Sequence, residues 1–304
     1  MMMNEPDRFA LRGTLLRDAP LARYTSWRAG GCADRLYRPA DRDDLAAFVR
    51  RHAPTEPIVV IGLGSNLLVR DGGVRGSVIV LHDPGAMLAV QDGLVYADAG
   101  AASPKLARFA ARHDCAEAEF LAGIPGTVGG ALAMNAGCHG GETWRYVARV
   151  EMLTPAGEFV MRTPGEFSIG YRHVAERDGT PPSGIFTAAW FRFPEGPAHV
   201  ARERIKALLD RRIATQPLSQ PNAGSVFRNP PGDFAARLIE SCGLKGYAIG
   251  GAQVSVKHAN FIVNPDRTAR AADIEALIGH VRAVVLARTG VVLEPEVRIV
   301  GEVA

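Results

Sequence analysis

The length, composition and charge of this chain exclude several classes of protein. Its 304 residues, 47% hydrophobic and 22% charged, suffice for one large hydrophobic core or for two or three smaller ones. The formal net charge is only +3, and the basic residues are scattered, which argues against nucleic acid as the main ligand but leaves a compact anionic substrate open. No apolar run approaches the ~20 residues of a membrane-spanning helix, and residues 1–16 hold no long apolar segment. We therefore expect a soluble globular protein.

The cysteines give no sign of a metal site or a disulfide framework. Cys32, Cys115, Cys138 and Cys242 lie far apart, without a Cys-x-x-Cys pair and without the density of a disulfide-rich scaffold. We expect four free thiols, no metal, and a location in the reducing cytoplasm.

The first elements in chain order predict a mixed α/β organisation. Residues 42–52 place Leu45, Phe48 and Val49 on one face of a helix with acidic residues near its start. The apolar run "PIVVIG" then predicts a strand, and the Gly-rich turn "GLGSN" leads into further strands, "LLV" and "SVIVLH". A dinucleotide-binding Rossmann unit requires a helix directly after its Gly-rich turn, so this pattern excludes that unit.

Further elements complete the first half of the chain. "GLVYADAG" predicts a strand, and "SPKLARFAARH" predicts a helix with Ser103 as N-cap and Pro104 in its first turn. The glycine-dense stretch "FLAGIPGTVGGALAMNAG" follows, then a hairpin around "TPAG" and a strand, "IFTAAWFRF".

The character of the chain changes near residue 195. Three amphipathic helices, "AHVARERIKALLDRR", "DFAARLIESCG" and "ADIEALIGHVRAVVLARTG", alternate with the strands "NFIVN" and "VRIV". We therefore predict a boundary that separates residues 1–195 from an α+β domain over residues 196–304. Neither internal repeats nor low-complexity tracts are present in the sequence.

Two Gly-rich loops, 62–66 and 123–130, are the first candidates for a ligand site. They offer backbone N–H groups, with Ser65, Asn66, Thr127 and Asn135 as side-chain partners. Such backbone nests suit a pyrophosphate. The alternative for each loop alone is a tight turn that needs glycine for its dihedral angles. The two loops together favour a dinucleotide or a flavin.

A series of short motifs runs from about residue 24 to residue 301: "YTSWRAGG", "VIGLGSNLLV", "AGIPGTVGGALAMNAG", "SIGYR", "TQPLSQPNAGSVFRNP", "GLKGYAIGGAQVSVKHANFIVN" and "EPEVRIVG". In these motifs and in their order, the chain resembles a known family, the UDP-N-acetylenolpyruvoylglucosamine reductases of bacterial cell-wall synthesis. Each motif alone is weak, but their combination over nearly the whole chain is highly specific.

The resemblance implies both a fold and a cofactor. The fold is of the α+β (mixed α/β) class, with an FAD-binding region of the vanillyl-alcohol-oxidase (PCMH) type followed by a smaller α+β substrate-binding domain. Neither Gly-rich loop is followed by an obvious covalent tether, so FAD is expected to bind non-covalently. The expected FAD-binding residues are Gly62, Gly64, Ser65, Asn66, Gly123, Pro125, Gly126, Thr127, Gly129 and Asn135.

The resemblance also implies a reaction in two stages. NADPH reduces FAD and leaves, and an enolpyruvyl UDP-sugar then receives hydride at its methylene carbon and a proton at the adjacent carbon. This chemistry requires a hydride-carrying cofactor, groups that stabilise an enolate-like charge, and a positioned acid. The implied partners are the UDP-sugar and NADPH, without nucleic acid or membrane, in peptidoglycan precursor synthesis.

Ser225 in "NAGSVFRNP" matches the proton donor of the family. As a nucleophile it would need an adjacent base and a G-x-S-x-G elbow, but the sequence reads Ala-Gly-Ser-Val-Phe. A serine hydroxyl is a poor acid, so this role requires a strongly basic carbanion and cations close by. The alternative from the residues alone is a hydroxyl that stabilises a loop.

Two charged residues match the other catalytic positions of the family. Arg172 in "SIGYR" matches the arginine that pairs with the substrate carboxylate and the enolate oxygen, a task suited to a planar donor fork. Glu296 in "EPEVR" matches the carboxyl group at the same centre. The alternatives are a surface arginine and a carboxylate paired with Arg298.

Tyr171, Asn229 and His258 match positions at the substrate, with Lys257 close by in sequence. Two residues depart from the expected pattern: Val174 replaces a small hydroxyl residue, and Val256 replaces a frequent acidic residue. Both put supporting hydrogen bonds in doubt. About a dozen residues separate Arg172 from the strand "IFTAAWFRF", too few for the tyrosine-bearing substrate lid of the longer subclass, which indicates the shorter, second type.

Two other functions compete with this interpretation. One is a different FAD-linked oxidoreductase of the same fold that acts on an alcohol or hydroxy acid, for which we expect an aromatic-rich pocket and a His or Cys tether to the flavin. The other is a nucleotide-binding module without catalytic activity. The combination of Ser225, Arg172 and Glu296 argues against the first.

Overall fold

The computed structural model describes residues 11–304. Part of the expectation for residues 1–16 therefore lies outside the described residues. Within residues 11–304, the α-helices are α1 Arg42–His52, α2 Ser103–Arg112, α3 Val128–Ala133, α4 Ala198–Thr215, α5 Ala235–Ser241 and α6 Ala271–Thr289.

The strands form several small sheets rather than one continuous sheet. Those of the first half are β1 Thr14–Pro20, β2 Cys32–Arg38, β3 Ile58–Ile61, β4 Leu67–Val69, β5 Val74–Val80, β6 Leu88–Gln91, β7 Leu94–Asp98, β8 Gly137–Cys138, β9 Gly141–Glu142, β10 Val147–Leu153, β11 Phe159–Arg162, β12 Phe167–Gly170, β13 His173–Glu176 and β14 Ile185–Phe191. Those of the second half are β15 Ala248–Ile249, β16 Ala252–Val254, β17 Ile262–Val263 and β18 Arg298–Val300.

A four-stranded sheet in the order β1-β2-β5-β3 begins the fold. The sequence predicted β3 and β5 but not β1 and β2. Helix α1 covers this sheet, and the Asp41 side chain caps it by accepting a hydrogen bond from Asp44 N. Phe48 on the buried face of α1 stacks on Tyr37 of β2, with the ring centroids 4.0 Å apart. The helical pattern of residues 42–52 therefore predicted both the helix and its buried face correctly.

A five-stranded antiparallel sheet in the order β11-β10-β14-β7-β6 forms the second layer. Strands β10 and β11 form the predicted hairpin. Helix α2 packs here through Leu106 and Ala110, both fully buried. Its N-cap is Ala102, not Ser103 as predicted, and Ser103 is the first residue of the helix with its buried hydroxyl lacking a partner in the described part of the chain. Ala102 is the N-cap because its carbonyl accepts the first helical hydrogen bond, from Leu106 N at 3.2 Å, and Pro104 lies in the first turn, where its missing N–H costs nothing.

Helix α4 lies beyond the predicted boundary but packs on the first half. Its buried Ala201 and Ile205 belong to the same hydrophobic cluster as α2. A separate cluster holds α5, α6 and the sheet β15-β16-β17, and its members in the C-terminal half begin at Ala223. The boundary at residue 195 stays a prediction.

The contacts that join the halves of the chain include a strand pairing and a buried hydrogen bond. Strand β18 near the C-terminus pairs in parallel with β4, so the loop that precedes β4 lies beside the C-terminal segment. The Trp27 Nε1–H donates to the carbonyl oxygen of Ile262 at 2.7 Å, and Trp27 is fully buried. None of the helices between residues 11 and 304 is long and apolar enough to cross a membrane.

Candidate active site

The two Gly-rich loops, which the sequence analysis assigns to one cofactor, lie against each other. A Cβ atom built on Gly62 would lie 2.3 Å from Thr127 Oγ1, and one built on Gly126 would lie 3.3 Å from Ser65 Oγ. Glycine is therefore required sterically at Gly62. Gly64 favours glycine for a different reason, because its φ of +62° lies in the left-handed region. Strand β4, not a helix, follows the first loop, in agreement with the exclusion of a Rossmann unit.

These loops present backbone N–H groups that donate no hydrogen bond to the described part of the protein. Within residues 11–304, no N–H of residues 62–66 donates to a protein acceptor, and neither do those of Gly126 and Thr127. The N–H groups of Val128 and Gly129, in contrast, donate to Ala101 and Ala99 carbonyl oxygens at 2.8 Å. The free N–H groups form the kind of nest that binds a pyrophosphate.

The other predicted cofactor residues differ in the hydrogen bonds that their side chains already make within the protein. Thr127 caps α3, because its Oγ1 accepts from Gly130 N at 3.3 Å. Asn135 is buried, and its amide donates to Glu142 and to the Gly170 carbonyl and accepts from Trp144 N. Because the Asn135 side chain is engaged in the protein, its contact with a cofactor stays a prediction.

In the second loop, Gly123 and Gly129 lie where a side chain would meet close neighbours, whereas Pro125 is exposed. A Cβ atom on Gly123 would lie 2.5 Å from Cys138 Sγ, and one on Gly129 would lie 3.0 Å from Ala99 Cβ. Pro125 is exposed on the loop. All four cysteines are free, as predicted.

Arg172 lies in the two-residue turn of the β12–β13 hairpin, which the sequence did not predict. Gly170 and His173 are the last paired residues, so Tyr171 and Arg172 form the turn. Arg172 has a φ of +52°, an uncommon conformation for a residue with a side chain. Such outliers concentrate at functional sites, where the surrounding contacts hold them.

Three contacts hold the Arg172 side chain. Its Nε donates to Glu296 Oε1 at 2.8 Å, and its Nη2 donates to the Gly137 carbonyl at 2.6 Å. Its Nη1 lies 3.5 Å from the Asn135 carbonyl. The Arg172 and Glu296 side chains are only 15% and 11% exposed. Burial raises the pKa of Glu296 and outweighs the opposing charges of Arg172 and Arg228. The structure thus brings two of the three predicted catalytic residues into direct contact.

Ser225 lies in a loop that runs beside Glu296. The Glu296 N–H donates to the Val226 carbonyl at 2.7 Å, so a backbone hydrogen bond joins Glu296 to the residue that follows Ser225. Asn260, which is buried, clamps the same loop: its amide accepts from Phe227 N at 3.0 Å and donates to Phe227 O at 2.8 Å. The Ser225 hydroxyl has no hydrogen-bond partner within residues 11–304 and remains available to a ligand.

The structure adds one residue that the sequence analysis did not assign, Arg228, and it gives Asn66, a predicted cofactor residue, a contact with Glu296. The Arg228 Nη2 donates to the Arg172 carbonyl at 3.2 Å, and the buried Arg228 Nε has no partner within the described chain. Asn66 Nδ2 donates to the Glu296 carbonyl at 3.2 Å, which joins the first Gly-rich loop to the acid. The cation in "NAGSVFRNP" was the available signal for Arg228. No local sequence pattern indicates the contact between Asn66 and Glu296, because 230 positions separate the two residues.

The predicted substrate residues differ in how freely their side chains can reach a ligand. Tyr171 is exposed, with the Arg172 Cζ atom 5.1 Å from its ring centroid. The Asn229 Oδ1 accepts from Ala235 N at 3.1 Å at the start of α5. The buried His258 Nδ1 has no partner among the described residues, and burial, with a smaller effect of Lys245, lowers the His258 pKa. Neighbouring Lys257 donates to the Ile213 carbonyl at 2.5 Å.

The two residues that depart from the family pattern occupy opposite environments. Val174 in β13 is buried and packs in the core of the first half, whereas Val256 is 68% exposed. Neither can contribute a side-chain hydrogen bond. Among residues 11–304, no group of three or more His, Cys, Asp or Glu side chains is placed to hold a metal ion.

The assembled site combines three chemical capacities. The N–H nest can bind an anionic diphosphate, the Arg172–Glu296 pair can interact with a carboxylate and a developing enolate, and the Ser225 hydroxyl can donate a proton. Unpaired buried polar atoms on Arg228 and His258 mark further positions for a polar ligand.

Comparisons with known proteins agree with this geometry. The profile of an FAD binding domain matches residues 33–161, and that of the UDP-N-acetylenolpyruvoylglucosamine reductase C-terminal domain matches residues 216–300. The first covers both Gly-rich loops. The second covers Ser225 and Glu296.

Similar whole proteins carry the same name. The UDP-N-acetylenolpyruvoylglucosamine reductase of Thiobacillus denitrificans is 56% identical over 306 aligned positions, which cover 96% of this chain and 94% of that protein. The one from Methylococcus capsulatus is 57% identical, covering 96% and 94%. The crystal structure of the Thermus caldophilus reductase (MurB) superposes with a TM-score of 0.78 at 34% identity, covering 95% of this chain and 98% of that one. This chain therefore belongs to the UDP-N-acetylenolpyruvoylglucosamine reductase family.

Proposed function

We propose that this protein reduces the enolpyruvyl group of UDP-N-acetylglucosamine enolpyruvate to give UDP-N-acetylmuramate, a step of peptidoglycan precursor synthesis. The observation that carries the proposal is the buried contact between Arg172 and Glu296 at 2.8 Å. It lies beside the Ser225 loop and is joined through Asn66 to the loop that bears the N–H nest. A carboxylate-binding arginine, an acid and a hydroxyl thus share one centre with an anion site.

The residues of the two loops fit FAD. Seven unused N–H groups of residues 62–66, Gly126 and Thr127 supply donors for its pyrophosphate, and the loops contact each other too closely at Gly62 to admit a Cβ atom. Cys138 lies against Gly123 of the second loop, but its Sγ donates to the Phe120 carbonyl and burial raises its pKa to about 11, which disfavours the thiolate that a covalent tether needs. When bound, FAD accepts hydride from NADPH and delivers it to the substrate.

The catalytic residues act on the charge and the proton of the substrate. Arg172 binds the substrate carboxylate and stabilises the negative charge that develops beside it, because a guanidinium presents two parallel donors to two oxygens. Glu296 holds Arg172 in place and, with its raised pKa, provides a second proton-bearing group at the centre. Ser225 donates the proton to the carbon, next to the cations Arg172 and Arg228.

The substrate and its location complete the proposal. Tyr171, Asn229 and His258 bind parts of the UDP-sugar, NADPH is the source of hydride, and the chain is of the shorter, second type. We place the reaction in the cytoplasm, where four free cysteines stay reduced.

Steady-state assays of the FAD-loaded protein test the function. NADPH consumption, followed by its absorbance, should require the enolpyruvyl UDP-sugar and should produce UDP-N-acetylmuramate in equal amount. A different FAD-linked oxidoreductase would oxidise simple alcohols or hydroxy acids instead. NADPH consumption that is unaffected by the enolpyruvyl UDP-sugar would contradict the proposal.

A further inference from the structure

A basic groove with an aliphatic floor lies between α2 and α4, and its lining includes neither Arg172 nor Glu296. It has a volume of about 500 Å³, within the range of small-molecule sites. Its cations come from both helices: Lys105, Arg108 and Arg112 of α2, and Arg202 and Lys206 of α4. Its aliphatic residues are Ile205, Leu209 and Ile213.

Three of these cations have no ion-pair or hydrogen-bond partner in the described part of the protein. Lys105 donates to the carbonyl oxygens of Pro84 and Ala86, and Lys206 pairs with Asp210 at 3.1 Å. Within residues 11–304, Arg108, Arg112 and Arg202 have neither an ion-pair nor a hydrogen-bond partner and are exposed. Positive charge thus lines both walls of the groove without an internal counter-charge except Asp210.

The cations and the aliphatic residues are arranged in rows. Arg108 and Arg112 lie four positions apart on α2, as do Arg202 and Lys206 on α4, so each pair forms a row one helical turn long. Ile205, Leu209 and Ile213 repeat the same spacing on α4 and form a strip about 12 Å long. Ile213 is 62% exposed at the end of this strip, although it is a large aliphatic residue.

This lining selects against several classes of occupant. Among the described residues no aromatic side chain lines the groove, and the single acceptor side chain in this lining, Asp210, is paired, so a nucleobase would find neither a stacking surface nor free acceptors there. One turn of a helix with its side chains fills roughly 400 Å³, so the groove cannot enclose several turns of a partner helix. An aliphatic chain with an anionic head group matches both the strip and the rows of arginines.

We propose that this groove binds a free single-chain amphiphilic anion, with its aliphatic chain along Ile205, Leu209 and Ile213 and its carboxylate or phosphate head group on Arg108, Arg112 and Arg202. Arginine is suited to the head group, because its planar donor fork matches the oxygens of both anions. The site is separate from the proposed catalytic centre, and its test does not depend on the proposed activity.

Calorimetric titration of the FAD-loaded protein with decyl phosphate, kept below its micelle-forming concentration, tests the proposal. Decanoate tests the alternative head group, while decanol and inorganic phosphate each supply one half of the ligand. We expect saturable binding of decyl phosphate, decanoate or both, and much weaker binding of decanol and of phosphate alone. Equal binding of decanol, or tight binding of phosphate alone, would overturn the proposal.

Two variants locate the binding in the groove. Arg108→Ala combined with Arg202→Ala should weaken binding of the preferred anion about tenfold or more, because two charge-assisted contacts are lost. Ile213→Ser should also weaken binding of this anion, because it removes an aliphatic contact at the end of the strip. The matched control Arg17→Ala removes another exposed arginine, on β1, and should leave the affinity unchanged. Affinity unchanged in both groove variants overturns the proposal, as does selective binding of anionic phosphatidylglycerol vesicles without binding of free decyl phosphate.

Discussion

The guanidinium of Arg172 and the carboxyl group of Glu296 meet at 2.8 Å, although 124 positions separate them in sequence. Arg172 comes from the turn of a hairpin in the first half of the chain, and Glu296 precedes the strand that pairs with β4. The site is therefore assembled only when the two halves of the chain pack together. The predictions below test what each part of this assembly does.

The Arg172→Lys variant tests the two-point interaction at the centre. An ammonium keeps the positive charge but cannot reach Glu296 and a substrate oxygen with one rigid fork. We expect about 10- to 100-fold lower kcat, as for the loss of a charge-assisted hydrogen bond worth about 1.5–3 kcal/mol, with a smaller change in KM. Arg177→Lys, beyond the end of β13, is the matched control and should retain parental kcat. A kcat near that of the parent in Arg172→Lys would remove Arg172 from the mechanism.

The Gly126→Val variant tests the cofactor site. A Cβ atom at Gly126 would lie 3.3 Å from Ser65 Oγ, and the larger valine side chain would crowd the contact between the two loops. We expect about tenfold weaker FAD binding, because overpacking a close contact costs roughly 1–3 kcal/mol. The flavin content of the purified protein, measured by absorbance, reports the change.

Gly279→Val is the control for this experiment, because nothing lies within 4 Å of a Cβ atom there. Its flavin content should equal that of the parent. Full flavin occupancy in Gly126→Val would contradict the placement of FAD at these loops. Flavin that stays attached to the denatured chain would contradict non-covalent binding.

The Glu296→Gln variant tests the protonation of the buried carboxyl group. Because burial raises the Glu296 pKa in the folded protein, its protonated form favours folding. This contribution is fully present below the pKa of the unfolded chain and is lost as the pH rises through the folded pKa. The parent should therefore lose free energy of unfolding relative to Glu296→Gln as the pH rises above about 4.5.

Urea unfolding of the parent and of Glu296→Gln at a series of pH values measures this difference. Any constant offset from the lost ion pair with Arg172 cancels, because only the pH dependence reports the titration. Lys206→Met, at an exposed lysine whose partner Asp210 is also exposed, is a control that should follow the parent in this pH range. A free-energy difference between the parent and Glu296→Gln that does not change with pH would show that the Glu296 pKa is not raised.

The sequence predicted those parts of the fold that carry a strong local signal. The helical spacing of Leu45, Phe48 and Val49 predicted both α1 and its buried face. Strand β1 was missed because it is a solvent-exposed edge strand, with five of its first six residues exposed, and lacks the alternation of a half-buried strand.

The site was predicted mainly through motifs rather than through local physical chemistry. The glycines of 62–66 and 123–130 carried a signal of their own, and the structure places the two loops in contact. The pairing of Arg172 with Glu296 and the clamp of Asn260 on the Ser225 loop depend on contacts between distant segments. No periodicity or spacing encodes such contacts, so only the folded chain reveals them.

The central claim of this account is that Ser225 supplies the proton and takes no part in flavin reduction. Asn260 and the backbone of Glu296 hold the loop, so Ser225→Ala should leave its conformation intact. Ser183→Ala, at an exposed position before β14, is the matched control and should behave as the parent in both half-reactions.

Rapid-mixing absorbance at the flavin band separates the two half-reactions of Ser225→Ala. NADPH should reduce the bound flavin at close to the parental rate, since that step needs no acid on the substrate side. Reoxidation by the enolpyruvyl UDP-sugar should be slower by ~10²-fold or more, the effect expected when a positioned acid is removed. Ser225→Cys should recover part of this rate, because a thiol also carries a transferable proton. Reoxidation of Ser225→Ala at the parental rate, or failure at the flavin-reduction step, would contradict the account.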